Sequence, residues 1–193
     1  MKKLLFVNAC VNRGRSRTCR IGRGLVALLG KKDDYDVSEL VLEEENLQAL
    51  TSETLNGRFE LAAKKDFSGE IFRYARRFRE ADCIVIAAPY WDLGFPAMLK
   101  IYIETVSIPG LMYRYGDDDR STGLCRAEKL YYVTTRGGHI GDERDLGYAT
   151  MLELGKLYGI GEVKCISVNG LDIPVNDVET AVQKAIDRLP DRL

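Results

Sequence analysis

The sequence predicts an α/β domain in which a five-stranded parallel sheet is covered by helices on both faces. Two observations lead there. Apolar runs of strand length recur at 4–7, 35–40, 83–88, 129–135 and 162–168. Helical patterns alternate with them, giving a strand-helix succession along the chain. The length of 193 residues, with 46% hydrophobic and 30% charged residues, suits one packed domain over 1–193. No internal repeat, linker or low-complexity segment breaks it.

The first strand, Leu4-Leu5-Phe6-Val7, reads as buried on both faces. A loop rich in arginine and hydroxyl groups follows at 8–18. The next helix places Ile21, Leu25, Leu28 and Leu29 on one side, and Ser16 or Thr18 can cap it. The second strand spans 35–40. The acidic run Glu43-Glu44-Glu45 reads as a solvated helix start. Residues 52–65 and 66–80 read as helical, with a break at Ser68-Gly69. Phe72, Ala75, Phe78 and Ile71 are expected on the sheet, and Arg73, Arg76, Arg77 and Arg79 on the wet face. The strand at 83–88 leads into Pro89-Tyr90-Trp91-Asp92-Leu93 and a helix over 93–107. Residues 108–127 read as a long irregular connection with a solvated acidic turn, Asp117-Asp118-Asp119. The strand at 129–135 runs into a glycine-rich turn. A helix at 146–158, the strand at 162–168 and a helix at 177–189, stopped by Pro190, complete the chain.

The totals exclude several roles. The net charge is −1, from 28 basic and 29 acidic residues, so nothing draws the chain toward nucleic acid or an anionic membrane. No apolar run approaches the roughly 20 residues of a membrane span, and the amino-terminal run is too short for a signal peptide. The five cysteines are odd in number, contain no CxxC pair and have a single histidine for company. They predict neither a disulfide framework nor zinc, and point to a reducing, cytoplasmic setting.

Three loops then stand out, after the first, third and fourth strands. A parallel sheet puts them at one edge, where such sheets bind ligands. The first brings Ser16, Arg17 and Thr18 to a helix N-terminus, a combination suited to phosphate, although arginines in a surface loop are also commonly just solvated. It is neither a Walker A loop nor a GxGxxG fingerprint. The second sets Tyr90 beside Trp91. The third, Thr135-Arg136-Gly137-Gly138-His139, lets backbone approach a ligand closely. His139 reads either as a general base or as a hydrogen-bonding loop residue. A ligand with a phosphate at one end and a flat ring at the other, as in flavin mononucleotide, suits all three.

The strand and loop ADCIVIAAPYWDL, the Leu99-Lys100 helix segment, the YRY piece at 113–115 and Thr135-Arg136-Gly137-Gly138 occur in one order. In these the chain resembles the flavodoxin-like NAD(P)H-dependent FMN reductases, among them the NADH azoreductases and quinone reductases. The resemblance runs from residue 3 to about 189. It implies a flavodoxin-like three-layer sandwich with strand order 2-1-3-4-5. It also implies FMN as cofactor, NADH or NADPH as donor, a homodimer, and ping-pong hydride transfer to a quinone, azo compound or similar flat small molecule. Ser16, Arg17 and Thr18 match the family's phosphate loop, in which Cys10 also lies. Pro89, Tyr90, Trp91, Asp92 and Leu93 match one loop along the flavin ring, and Thr135, Arg136, Gly137 and Gly138 the other. Tyr115 matches an aromatic over the substrate pocket. The chain departs from the pattern where Tyr90-Trp91-Asp92-Leu93 replaces Met-Tyr-Asn-Phe, and where Ala9-Cys10 replaces an early serine. No metal is implied, and the flavin carries the chemistry, with Tyr115 and His139 as candidate assisting residues. The reading from another class is a flavodoxin-type electron carrier that serves a partner protein.

Overall fold

The computed structural model describes residues 1–116 and 121–193, so the acidic turn expected at Asp117–Asp119 lies outside the described residues. Five parallel strands form the sheet: β1 (Lys2–Asn8), β2 (Tyr35–Val41), β3 (Cys83–Ala87), β6 (Lys129–Thr135) and β7 (Glu162–Val168). The spatial order is β2-β1-β3-β6-β7. Counted among the sheet strands alone, that is the expected 2-1-3-4-5. The register brings their ends together. Asn8 pairs with Val41 and Ala87, and Ala87 pairs with Val133.

Alternate residues of β1 serve two cores, which is why the strand reads as a continuous apolar run. Leu4 and Phe6 pack with Ile21, Leu25 and Leu29 of α1 (Arg17–Lys32) and Val182 of α6 (Val178–Asp187). Leu5 and Val7 face the other side. There they join α3 (Arg73–Arg79), α4 (Ala97–Val106) and α5 (Leu146–Tyr158) through Phe78, Tyr102 and Tyr158. Helix α2 (Ser52–Ala63) is pinned beside α4 by the buried Arg58, whose guanidinium donates to the Glu104 and Ser107 carbonyls.

Several expectations change. The run at 43–45 is a turn rather than a helix start. Leu42 is buried and its N–H bonds the Asn8 carbonyl at 3.0 Å, while Glu45 accepts from the Tyr74 hydroxyl at 2.6 Å. Ile71 is exposed, whereas Phe72, Ala75 and Phe78 are buried as expected. Arg76, Arg77 and Arg79 are not idle on a wet face, because each donates to a loop or strand carbonyl. The helix after β3 begins at Ala97 rather than 93, because a reverse turn intervenes and Pro96 forces extended backbone before it. The connection at 108–127 contains a hairpin of β4 (Tyr113–Tyr115) and β5 (Ser121–Gly123). Gly123 lies so close to the end of α5 that a Cβ there would sit 2.0 Å from the Gly159 nitrogen. Pro190 does not stop α6, which ends at Asp187; it sits in a short 3-10 turn at Leu189–Arg192.

Candidate functional site

The carboxyl ends of β1, β3 and β6 lie side by side, so their loops share one edge. In the first loop, Ser16 caps α1 and accepts from the Cys19 N–H at 3.1 Å. The N–H groups of Arg17 and Thr18 meet no protein acceptor among the described residues, as expected for the first positions of a helix. The helix dipole favours an anion there. Thr18 is buried, and its hydroxyl lies 2.6 Å from that of Thr135, which joins the first loop to the third. Arg17 reaches away from the helix to the Leu171 carbonyl at 3.1 Å and to Asp172 at 3.3 Å. A cleft of about 570 Å³ flanks the loop, walled by Arg13, Arg15, Arg17, Arg20, Arg23 and Glu179. Four of these arginines already hold carboxylates: Arg13 with Glu43 and Glu44, Arg17 with Asp172, Arg20 with Glu179, and Arg23 with Glu39. Arg15 makes no ion pair among the described residues.

The second loop is a tight reverse turn. The Trp91 N–H donates to the Gly94 carbonyl at 3.2 Å, and the Gly94 N–H donates back at 2.8 Å. Asp92 and Leu93 between them have φ of 49° and 68°. Left-handed backbone at two non-glycine residues is strained, most of all at leucine. The strain holds Trp91 and Leu93 outward, 47% and 63% exposed, and leaves the N–H groups of Asp92 and Leu93 without protein acceptors among the described residues. Before the turn, the half-buried Pro89 and Tyr90 follow β3, and the Tyr90 N–H bonds the Thr135 carbonyl at 3.0 Å.

The third loop is locked from beneath. Arg136 is fully buried, and its guanidinium turns into the protein rather than toward the edge. It donates twice to Asp145, at 2.7 and 3.0 Å, and also to Asp142 at 2.7 Å and the Ile140 carbonyl at 2.8 Å. Burial opposes its charge, and the bonds to Asp142 and Asp145 outweigh burial, so its pKa is raised. The other oxygen of Asp145 caps α5 by accepting from the Tyr148 N–H at 2.9 Å. Above this pair, the N–H groups of Gly137 and Gly138 are free of protein acceptors among the described residues, while their carbonyls accept from Asp172 and Gly170. His139 is exposed beside Gly170, and a Cβ on Gly170 would lie 2.8 Å from its ring.

Sequence reasoning missed the segment 169–172, which backs the first and third loops, and missed Asp145. An Asp just ahead of a helical pattern is a cap signal that would have flagged Asp145. Cys10 is buried under the first loop, with its N–H bonded to Asn8. Tyr115 is 67% exposed on the hairpin. It packs edge-on against Tyr113, which stacks on Tyr158. No hydrogen bond or aromatic contact ties it to the three loops of its own chain among the described residues.

Residues 2–193 match the protein family described as having a flavodoxin-like fold. The chain belongs to this family. Among its relatives is the FMN-dependent NADH:quinone oxidoreductase of Clostridium perfringens, 30% identical over 97% of this chain and 96% of that one. The FMN-dependent NADH:quinone oxidoreductase 2 of Clostridium acetobutylicum is also 30% identical, over 100% of this chain and 98% of its own length. An azoreductase from Bacillus anthracis superposes with a TM-score of 0.84 at 22% identity, covering 99% of this chain and 98% of that one. An FMN-dependent NADH-azoreductase from the same species, solved in complex with FMN, gives a TM-score of 0.80 at 14% identity and 99% coverage of both chains. At such identities the two structures support the flavodoxin-like fold alone. Among the described residues no helix is long and apolar enough to cross a membrane, and no group of three or more His, Cys, Asp or Glu is placed to hold a metal ion.

Proposed function

We propose that this flavodoxin-like chain is an FMN-dependent NAD(P)H oxidoreductase for quinones, azo compounds and similar flat acceptors. The reading rests on one observation above all: three loops, joined through Thr135, meet at the carboxyl edge of the sheet with unpaired N–H donors and outward aromatic surface. The match over nearly full length to FMN-dependent NADH:quinone oxidoreductases supports it.

FMN fits this donor set. Its phosphate suits the Ser16 hydroxyl and the free N–H groups of Arg17 and Thr18 at a helix N-terminus. Its ring suits the loop of Pro89, Tyr90, Trp91, Asp92 and Leu93 on one side and Thr135, Gly137 and Gly138 on the other. Cys10 and Arg136 support these loops from below. Asp92 places an acceptor beside the ring where the related reductases carry an amide. When bound, FMN supplies two-electron transfer between a nicotinamide and an acceptor. The protein binds, orients and shields: Trp91 and Leu93 exclude water from one face, and free amides hold charge without rearranging. Donor and acceptor use the same slot in turn, which gives ping-pong kinetics. We further propose that the enzyme is a cytoplasmic, single-domain protein that works as a homodimer, with Tyr115 on its exposed arm reaching the partner's pocket.

The test is an absorbance spectrum after incubation with FMN and desalting, followed by NADH or NADPH, then menadione or an azo dye. Flavin bands that persist, bleach with the nicotinamide and return with the acceptor are expected. A colourless protein overturns the flavin site. Bound FMN without turnover points instead to an electron carrier that needs a protein partner.

A further inference from the structure

The start of α1 breaks two local rules at once. Its first turn carries no acidic residue and instead sets Arg17 and Arg20 against the positive end of the helix dipole. Arg23 follows at the same spacing of three, so like charges are neighbours along one helix face, where they repel. Arg13 and Arg15 add two more from the loop before the helix. All five line one cleft of about 570 Å³, with Glu179 as the single carboxylate in its wall. The chain as a whole has a net charge of −1, so this concentration is local. The ion pairs of Arg13, Arg17, Arg20 and Arg23 lie on exposed or half-exposed side chains, and pairs of that kind contribute little. A guanidinium fork gains more from a phosphate, which it grips with two N–H groups. Local rules are broken in this way where function offsets the cost. The cleft also has the size of a small-molecule site, roughly 300–1,000 Å³, rather than of one phosphate.

We propose that this cleft is the subsite for the diphosphate bridge of the nicotinamide dinucleotide donor. The diphosphate chemistry follows from the cleft; the identity of its bearer rests on the reading of the chain as an NAD(P)H oxidoreductase. FMN brings one phosphate, and the Ser16 hydroxyl with the free N–H groups of Arg17 and Thr18 is enough for it. Five guanidiniums beside that cradle call for further anionic charge. A diphosphate offers adjacent phosphoryl groups whose oxygens engage several forks at once. The bridge is common to NADH and NADPH, so the cleft serves either. It is not bonded to the carbon that gives up the hydride, so its contacts are the same before and during transfer. Such contacts lower KM without raising kcat. Glu179, which holds Arg20 at 2.8 Å, opposes an incoming anion and keeps the affinity moderate. That suits a ping-pong cycle, in which the oxidised donor must leave before the acceptor enters.

The probe is ADP, which carries the diphosphate without the nicotinamide. Titration calorimetry at low salt is run on the protein with and without saturating FMN. ADP is expected to bind in both, at least tenfold more tightly than AMP, and to weaken as salt rises. In steady-state assays with menadione it should compete with NADH. The double variant Arg15→Gln, Arg20→Gln should weaken ADP at least tenfold and raise the NADH KM by a similar factor, with the loss confined to KM. Glu179→Gln should do the reverse and tighten ADP about threefold, a gain that damage to the fold does not produce. No ADP binding to the FMN-loaded protein, or ADP no tighter than AMP, overturns the diphosphate subsite. ADP that binds without competing with NADH overturns the donor assignment and leaves the cleft to a free nucleotide. Protein that takes no FMN overturns the flavin reading, and the donor with it, while ADP titration of the wild type and the variants still decides the cleft.

Discussion

Trp91 is presented to solvent by two left-handed residues beside it, Asp92 and Leu93. Strain of this kind persists only where surrounding bonds fix it, and here the paired Trp91–Gly94 hydrogen bonds do so. A half-exposed indole adds little to folding, so its placement is best explained by a flat ligand. Trp91→Ala is therefore expected to leave the melting temperature nearly unchanged, since substitutions at such positions usually fall within about 0.5 kcal/mol. FMN affinity should drop about fivefold, in line with the roughly 1 kcal/mol that aromatic contacts add. Fluorescence titration beside a thermal melt separates the two, and unchanged affinity together with unchanged turnover would remove the role given to Trp91. At this scale the sequence carried much of the site, because hydroxyls before a helix and aromatics after a strand have positional meaning. It could not give the direction of Arg136. An arginine in a glycine-rich loop looks like a ligand contact, but Asp142, Asp145 and the Ile140 carbonyl turn it inward.

That ion pair ties two elements together, since Asp145 holds the loop after β6 with one oxygen and caps α5 with the other. Removing one partner of a buried pair leaves an uncompensated charge and costs about 3–5 kcal/mol. Asp145→Asn keeps an oxygen for the cap but loses the charge facing Arg136. It is expected to destabilise the fold by about 3 kcal/mol in urea unfolding. Asp145→Ala should cost roughly 1 kcal/mol more, for the cap. A loss below 1 kcal/mol in the Asn variant would mean that Asp142 and the loop carbonyl suffice for Arg136. The elements divide in the same way between the legible and the hidden. The inner sheet strands were plain because burial on both faces writes a continuous apolar run. The β4–β5 hairpin was not, because three-residue strands with an exposed, polar second half carry no period to read. The turn at 43–45 was missed because its carboxylates are committed to Arg13 and Tyr74, partners that sequence distance conceals.

Across the whole molecule, balanced charge gives no long-range pull on a partner, so the homodimer proposed above rests on local apolar surface. Tyr115, Phe59 and Leu146 are large and exposed. Tyr115 has a further constraint. The hairpin is anchored to the end of α5 by the Cys125 N–H, which bonds the Tyr158 carbonyl at 3.0 Å, and by the close approach of Gly123 to Gly159. The arm is thus braced at its base, while Tyr115 makes no hydrogen bond to the three loops among the described residues. On the reading proposed above, this exposed tip completes a site on a second copy of the chain. Sedimentation velocity should therefore find a species of twice the 21.7 kDa chain mass. Tyr115→Ala should keep FMN affinity, because the three loops are untouched, yet lower kcat/KM for a quinone about tenfold, the equivalent of about 1.4 kcal/mol of acceptor binding. A monomer at assay concentration with unchanged kcat/KM in the variant would make the arm a structural brace, and the pocket would then have to be built from one chain alone.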